Sequence, residues 1–140
     1  MKSDYKTDYS CPFCLSYLLL ENKLILTARH ASSDEPNESF LLLMNPEIGH
    51  YDTVYHPTVK VHEGDKYDFF CPVCHHKLHS DLNDNLVMVQ YHDKNGKLFE
   101  LHFSRVAGQK STYKIMGRSV ETFGIDAPHY LDFINLVDMS

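Results

Sequence analysis

Apolar residues recur at every second position in several short stretches of the chain, and most of these stretches end in a turn signal. The clearest runs from Lys97 to Phe103, where Phe99, Leu101 and Phe103 alternate with polar neighbours toward one face, the period of a half-buried strand. Before it, Leu86-Val87-Met88-Val89-Gln90-Tyr91-His92 is rich in strand formers, and Asp93-Lys94-Asn95-Gly96 joins the two with an Asn-Gly hairpin signal. Tyr67-Asp68-Phe69-Phe70 reads as a shorter strand, and Thr112 to Met116 and Ser119 to Phe123 as two more around a turn at Gly117. Earlier in the chain, Leu24–Arg29 and Ser39–Met44 form a hairpin opened by the polar loop 31–38. Asn45-Pro46-Glu47 is placed to start one helical turn, and Tyr51–Val61 to return as strand with a break at Pro57.

These elements repeat. Lys6, Asp8, Cys11, Pro12, Cys14, Leu18 and Leu26 are matched 60 positions later by Lys66, Asp68, Cys71, Pro72, Cys74, Leu78 and Leu86. After a one-residue gap, Phe40, Leu42, Gly49, Thr53 and Val61 meet Phe99, Leu101, Gly108, Thr112 and Val120. The expectation is a duplication of residues ~5–64 and ~65–124 within a single domain spanning 1–140, because self-similarity at a fixed period marks a structural unit. The tail 125–140 lies outside the repeat. There Asp126 is expected to cap a short C-terminal helix whose Tyr130, Phe133, Ile134 and Val137 form one apolar stripe, for packing on a sheet or for docking a partner or second copy.

Composition changes this picture little. A chain of 140 residues with 43% hydrophobic and 23% charged residues can build an ordinary core. The net charge of −6, with no dense Lys/Arg cluster, counts against nucleic acid, where phosphate neutralisation supplies much of the affinity. Met1–Asp8 has no apolar segment of a signal peptide and no run spans a bilayer, so a cytoplasmic protein with no membrane role is expected.

The chemistry is concentrated in Cys11-Pro12-Phe13-Cys14 and Cys71-Pro72-Val73-Cys74, which hold all four cysteines. A two-residue spacer lets both sulfurs of a pair turn toward one ion, and two pairs complete a tetrahedral shell around one Zn²⁺ per chain. Disulfides are rare in the cytosol, which favours metal ligation by Cys11, Cys14, Cys71 and Cys74; whether zinc or iron is held stays open. Four cysteines leave no open coordination position, so the metal is expected to be structural. The strand-like approaches, the Cys-Pro-x-Cys turns and the hairpins that follow resemble the zinc-ribbon class with its paired zinc knuckles. That resemblance covers the knuckles and adjacent strands. It implies a mainly β fold in which two tandem strand–knuckle–hairpin units are related by a pseudo-twofold around one Cys₄ zinc. The class often has glycine just after the second cysteine. Leu15 and His75 stand there instead, and leucine tolerates positive φ poorly, so the first knuckle is expected to be the less regular.

His75, His76 and His79 follow the second knuckle, either as polar surface or as ligands of a further site; His50, His56 and His62 read as exposed. Cys-Pro-Phe-Cys also looks like a glutaredoxin-type dithiol motif, but that chemistry needs a long helix after the cysteines. Nucleic-acid binding remains an alternative through Arg105, Lys110, Lys114 and Arg118 if they gather on one side, with Tyr and Phe for stacking. No Gly-x-Ser-x-Gly, His-Glu-x-x-His or phosphate loop is present, so no catalytic residue is assigned. The reading that remains is a small zinc-binding, non-enzymatic module whose partner is another protein, with homo-oligomerisation open through the C-terminal helix.

Overall fold

A computed structural model of the chain describes residues 7–130. Among the described residues, ten strands form two antiparallel sheets. The first holds β1 (Asp8–Ser10), β7 (Leu86–His92), β8 (Leu98–Ser104), β9 (Thr112–Met116) and β10 (Ser119–Phe123), in that spatial order. The second runs β2 (Leu19–Leu20), β3 (Lys23–His30), β4 (Phe40–Met44) and β5 (Thr53–Val54), with β6 (Tyr67–Phe70) paired on β3.

Local sequence explains the turns. Glu21 and Asn22, at φ 50 and 64, are the two central residues between β2 and β3, the conformation of a type I′ hairpin. The β7–β8 connection closes through Gly96 at φ 78, while the Asp93 carboxylate accepts the N–H groups of Asn95 and Lys97. Gly117, at φ 60, takes the first central place between β9 and β10.

The sheets face each other across one core. Leu24, Leu26 and Ala28 of β3 meet Val87, Val89 and Tyr91 of β7, Leu101 and Phe103 of β8, and Phe69 of β6. Burying a side chain of this size contributes about 1.5–3 kcal/mol. A smaller cluster of Leu86, Tyr113 and Ala127 lies apart from it, flanked by Leu82, Ile115 and Val120.

Each half follows the order strand, knuckle, hairpin, but the knuckle strands are exchanged: β1 pairs along its length with β7, and β6 with β3, so each enters the sheet of the other half. Two expectations are corrected. The equivalence along the hairpins also shifts. Leu26 lies opposite Leu42 as Val89 lies opposite Leu101, so the counterpart of Leu26 is Val89 and not Leu86.

The C-terminal helix is also not found: among the described residues there is no α-helix, only 3₁₀ turns at Pro36–Glu38 and Ala127–Tyr130. Asp126 does not cap a helix, because its carboxylate accepts the Lys110 N–H at 2.8 Å and its own N–H donates to the Lys110 carbonyl. The Ala127 carbonyl accepts the Tyr113 hydroxyl. Phe133, Ile134 and Val137 lie outside the described residues. Two smaller differences follow the same logic. Asn45 does accept the Glu47 N–H, but the segment turns without forming a helix, and of Tyr51–Val61 only Thr53–Val54 is strand. No helix among the described residues is long and apolar enough to cross a membrane.

The halves are also stitched at Gly124, which has φ +97. A Cβ there would lie 2.3 Å from the Lys110 carbonyl oxygen and 2.5 Å from the Tyr51 hydroxyl. At Gly64, φ +90, a Cβ would meet nothing within 4 Å. Gly124→Ala is expected to cost on the order of 3 kcal/mol in urea denaturation, since backbone must move. Gly64→Ala should cost only the left-handed strain, about 1–2 kcal/mol.

Candidate metal centre

Each cysteine pair is delivered by a strand of a different sheet. β1 leads into Cys11 and Cys14, β6 into Cys71 and Cys74, and the two loops fold alike. Cys11 N–H donates to the Ser16 carbonyl and Cys71 N–H to that of His76, both at 3.0 Å. Leu15 N–H reaches the Cys11 carbonyl and His75 N–H that of Cys71, both at 2.9 Å. Leu18 N–H then bonds the Tyr9 carbonyl, and Leu78 N–H that of Phe69, both at 2.8 Å. Leu15 and His75 have φ of 63 and 66. The leucine therefore accepts the left-handed conformation at a cost of about 1–2 kcal/mol, and the first knuckle is as regular as the second in these bonds.

The four sulfurs converge. Cys11 Sγ lies 3.7 Å from Cys74 Sγ, Cys14 Sγ lies 3.7 Å from Cys71 Sγ, and all four lie within 4.8 Å of one another. A tetrahedron with metal–sulfur bonds of about 2.3 Å has edges of about 3.8 Å. A disulfide needs about 2.05 Å, and all four thiols are free. The closest sulfur contacts thus join one pair to the other, and one ion could be shared by both pairs.

The surroundings suit thiolates. Phe13 and Val73 each donate a backbone N–H to the preceding cysteine sulfur at 3.3 Å, and Cys74 N–H approaches Cys71 Sγ at 3.4 Å. Such bonds disperse sulfur charge once a metal is held. Cys11 and Cys71 are fully buried, which pushes the Cys11 thiol up to about 12 and raises that of Cys71. The Ser16 side chain and N–H draw Cys14 down to about 6. Without a cation, the buried pair keeps its protons; a divalent ion would release them by stabilising the deprotonated sulfur.

The histidines do not add a second centre. The four cysteines are the only group of three or more His, Cys, Asp or Glu side chains placed to share an ion among the described residues. His76 instead stacks on Phe13 of the opposite knuckle, with ring centroids 4.5 Å apart at 14°. His79 is near the Lys77 carbonyl and Asp81, and His50 and His56 bond within their own turns.

One polar arrangement carried no sequence signal. Buried His102 joins Ser80, whose Oγ lies 2.8 Å from Nδ1, and Glu100, whose Oε1 lies 3.0 Å from Nε2. Burial lowers the imidazole pKa, against the opposing effect of the Glu100 carboxylate. The Ser80 hydroxyl is itself buried and already accepts the Leu82 N–H, so the trio serves as a hydrogen-bond chain fastening the 80–85 loop to β8. Of the four cations considered for phosphate, Arg105 pairs with Asp68 at 3.4 Å and Lys114 with Glu121 at 3.7 Å.

Two outcomes check the centre. Titration with Co²⁺ should give a tetrahedral tetrathiolate absorption spectrum that Cys71→Ser abolishes. Calorimetry near pH 7 in buffers of different ionisation enthalpy should show at least two protons leaving per metal, from Cys11 and Cys71. Affinity should then rise about tenfold per pH unit for each proton released. Separately, Leu15→Gly should raise the stability of the metal-loaded protein by up to about 1 kcal/mol, because exposed Leu15 has little packing to lose.

No family model matches this chain, and no curated protein sequence and no solved structure is similar to it.

Proposed function

We propose that this is a zinc protein whose metal is structural and whose role is to bind another protein. The observation that carries the metal reading is the convergence of four sulfurs within 4.8 Å from two loops on different sheets. With four cysteine ligands the shell is closed, leaving no position for a substrate or activating water. Zinc suits a site made only of thiolates, and a reducing cytoplasmic compartment keeps such thiols free of disulfides.

The protein-binding reading rests on what surrounds the centre. Phe13, Leu15, Tyr17 and Val73 occupy the knuckles and their flanks and are all about half exposed or more. Large apolar and aromatic side chains on a metal-rigidified loop lose little entropy on docking. The observed pairing of Arg105 and Lys114 with carboxylates argues against a free phosphate-binding set. A dithiol redox role lacks its helix, since Cys14 is followed by the short β2 and the β2–β3 turn.

Two measurements test this. Native mass spectrometry of protein from medium holding both zinc and iron should show one zinc and no iron per chain; two zincs, or iron, would refute the metal assignment. A photo-crosslinking residue at Val73 should capture a defined partner that the same residue at Arg118, in the β9–β10 turn, does not. Equal capture at both places would remove the knuckle surface as the docking face.

A further inference from the structure

The two sheets differ in what they carry on their outer faces. Along β4, Phe40-Leu41-Leu42-Leu43-Met44 is apolar at every position. A strand with one face in water alternates; an unbroken apolar run is the pattern of a strand covered on both sides. Leu42 belongs to the core, beside Leu24, Leu26 and Ala28 of β3. Ladder pairing puts the intervening residues on the opposite side. Phe70, Thr27 and Leu41 form one row across β6, β3 and β4, and Ile25, Leu43 and Val54 a second row across β3, β4 and β5. Five of these six are large and apolar, and none is charged. Leu41 and Val54 are 57% and 56% exposed. Exposed Leu20, paired with Lys23, extends the face at its margin.

The outer face of the other sheet is different. Gln90, Glu100 and His102 share it with Leu86 and Tyr113. There Ser80 bonds His102, and Ala127 packs with Leu86 and Tyr113. On the β3–β4 side, side chains of this size make a patch on the order of 400 Å², among the largest that a monomer leaves in water, and such a patch marks an interface.

Composition, charge and area select a second copy of this chain as the occupant. The face is nearly all apolar, as the cores of homodimer interfaces are, more than those between independent proteins. The chain carries a net charge of −6, yet at this face Arg29 lies over the Phe70 ring at 4.9 Å, and Asp68 beside it is held by Lys77 and Arg105. Two copies therefore meet here without setting unpaired carboxylates against each other. Sheet faces pack about 10 Å apart, and two copies of the patch with its rim bury about 1,000 Å², the lower bound for a specific interface.

We infer that the outer face of β3, β4 and β5, with Phe70 of β6, is the interface of a homodimer, packed on the same face of a second copy around a twofold axis. This goes beyond the knuckle-based reading and does not depend on it: the second copy meets the sheet, and the partner meets the knuckles. An interface of this size gives a Kd that is roughly micromolar.

Sedimentation velocity of the metal-loaded full chain between about 1 and 300 µM should show a reversible monomer–dimer equilibrium. Over that range, amide signals of Thr27, Leu41 and Leu43 should shift while those of Phe13 and Val73 stay in place. Leu41→Lys should weaken the dimer about tenfold or more, because it buries an unpaired charge between the copies. Val54→Lys, on the neighbouring strand, should do the same. Both positions are exposed in the single chain, so metal content and the unfolding midpoint of the dilute protein should stay unchanged. Val73→Lys should leave the equilibrium as it is. A chain that stays monomeric to the top of that range would overturn the proposal and leave this face to a different protein. A dimer that survives both Leu41→Lys and Val54→Lys, or one lost in Val73→Lys, would overturn the location. None of these results bears on zinc content or on capture of another protein from Val73, so the two readings fail separately.

Discussion

Four thiols lie within reach of one ion because each of the two sheets supplies one cysteine pair, and the rest of the fold is arranged around that meeting. β1 belongs by sequence to the first half but pairs with β7 of the second; β6 belongs to the second but pairs with β3 of the first. Each strand runs directly into its cysteine turn. An ion held by all four sulfurs therefore cross-links two sheets that have already exchanged strands. The chemistry of the thiols makes the link conditional. Burial holds protons on Cys11 and Cys71, so these two sulfurs stay neutral until a cation displaces the protons.

That requirement accounts for features that would otherwise look like local oddities. Leu15 adopts a backbone conformation that leucine disfavours, because the turn must return Ser16 O to Cys11 N–H and aim Phe13 N–H at sulfur. Strain of about 1–2 kcal/mol is small beside the free energy of structural metal binding, about 10–16 kcal/mol in zinc-finger peptides. The Phe13–His76 stack joins the two knuckles directly. Further along, Tyr51 bonds Thr112 and the Phe123 carbonyl, and Asp126 bonds Lys110, so the ends of both halves are tied as well. Most of these ties are long-range, and neither half completes its own sheet.

How much of this was legible depended on how local the cause was. Alternation at Phe99, Leu101 and Phe103 and the Cys-Pro-x-Cys spacings are local facts, and the corresponding strands and cysteine cluster are present. Partner choice is not local: nothing in Asp8-Tyr9-Ser10 says that it pairs with β7. The match of Leu26 to Leu86 failed because the longer 80–85 loop changes the face on which β7 begins. Leu86 joins Tyr113 and Ala127, and Val89 takes the central place. The helix expected after Asp126 failed for a similar reason. A capping residue is a signal only while its carboxylate is free, and this one is used by the Lys110 N–H. The chain Ser80–His102–Glu100 left no trace in the sequence because three ordinary polar residues meet only through the fold.

The cysteine cluster and the groove between the sheets share a strand. Tyr9 precedes Cys11 on β1, lines the groove, packs edge-on against Tyr91 at 5.1 Å and donates its hydroxyl proton to the Pro46 carbonyl. Its side chain thus touches the β7 sheet on one side and the β4–β5 connection on the other. Fixing the sulfurs of Cys11 and Cys14 fixes the end of β1, and with it one wall of the groove. β1 is held on β7 by few contacts. Three ladder positions hold it there, Asp8 with His92, Tyr9 with Tyr91 and Ser10 with Gln90, together with the Ser10 hydroxyl against the Gln90 and His92 side chains. A strand this short, with few bonds of its own, is the element through which the state of the metal centre would reach the space between the sheets.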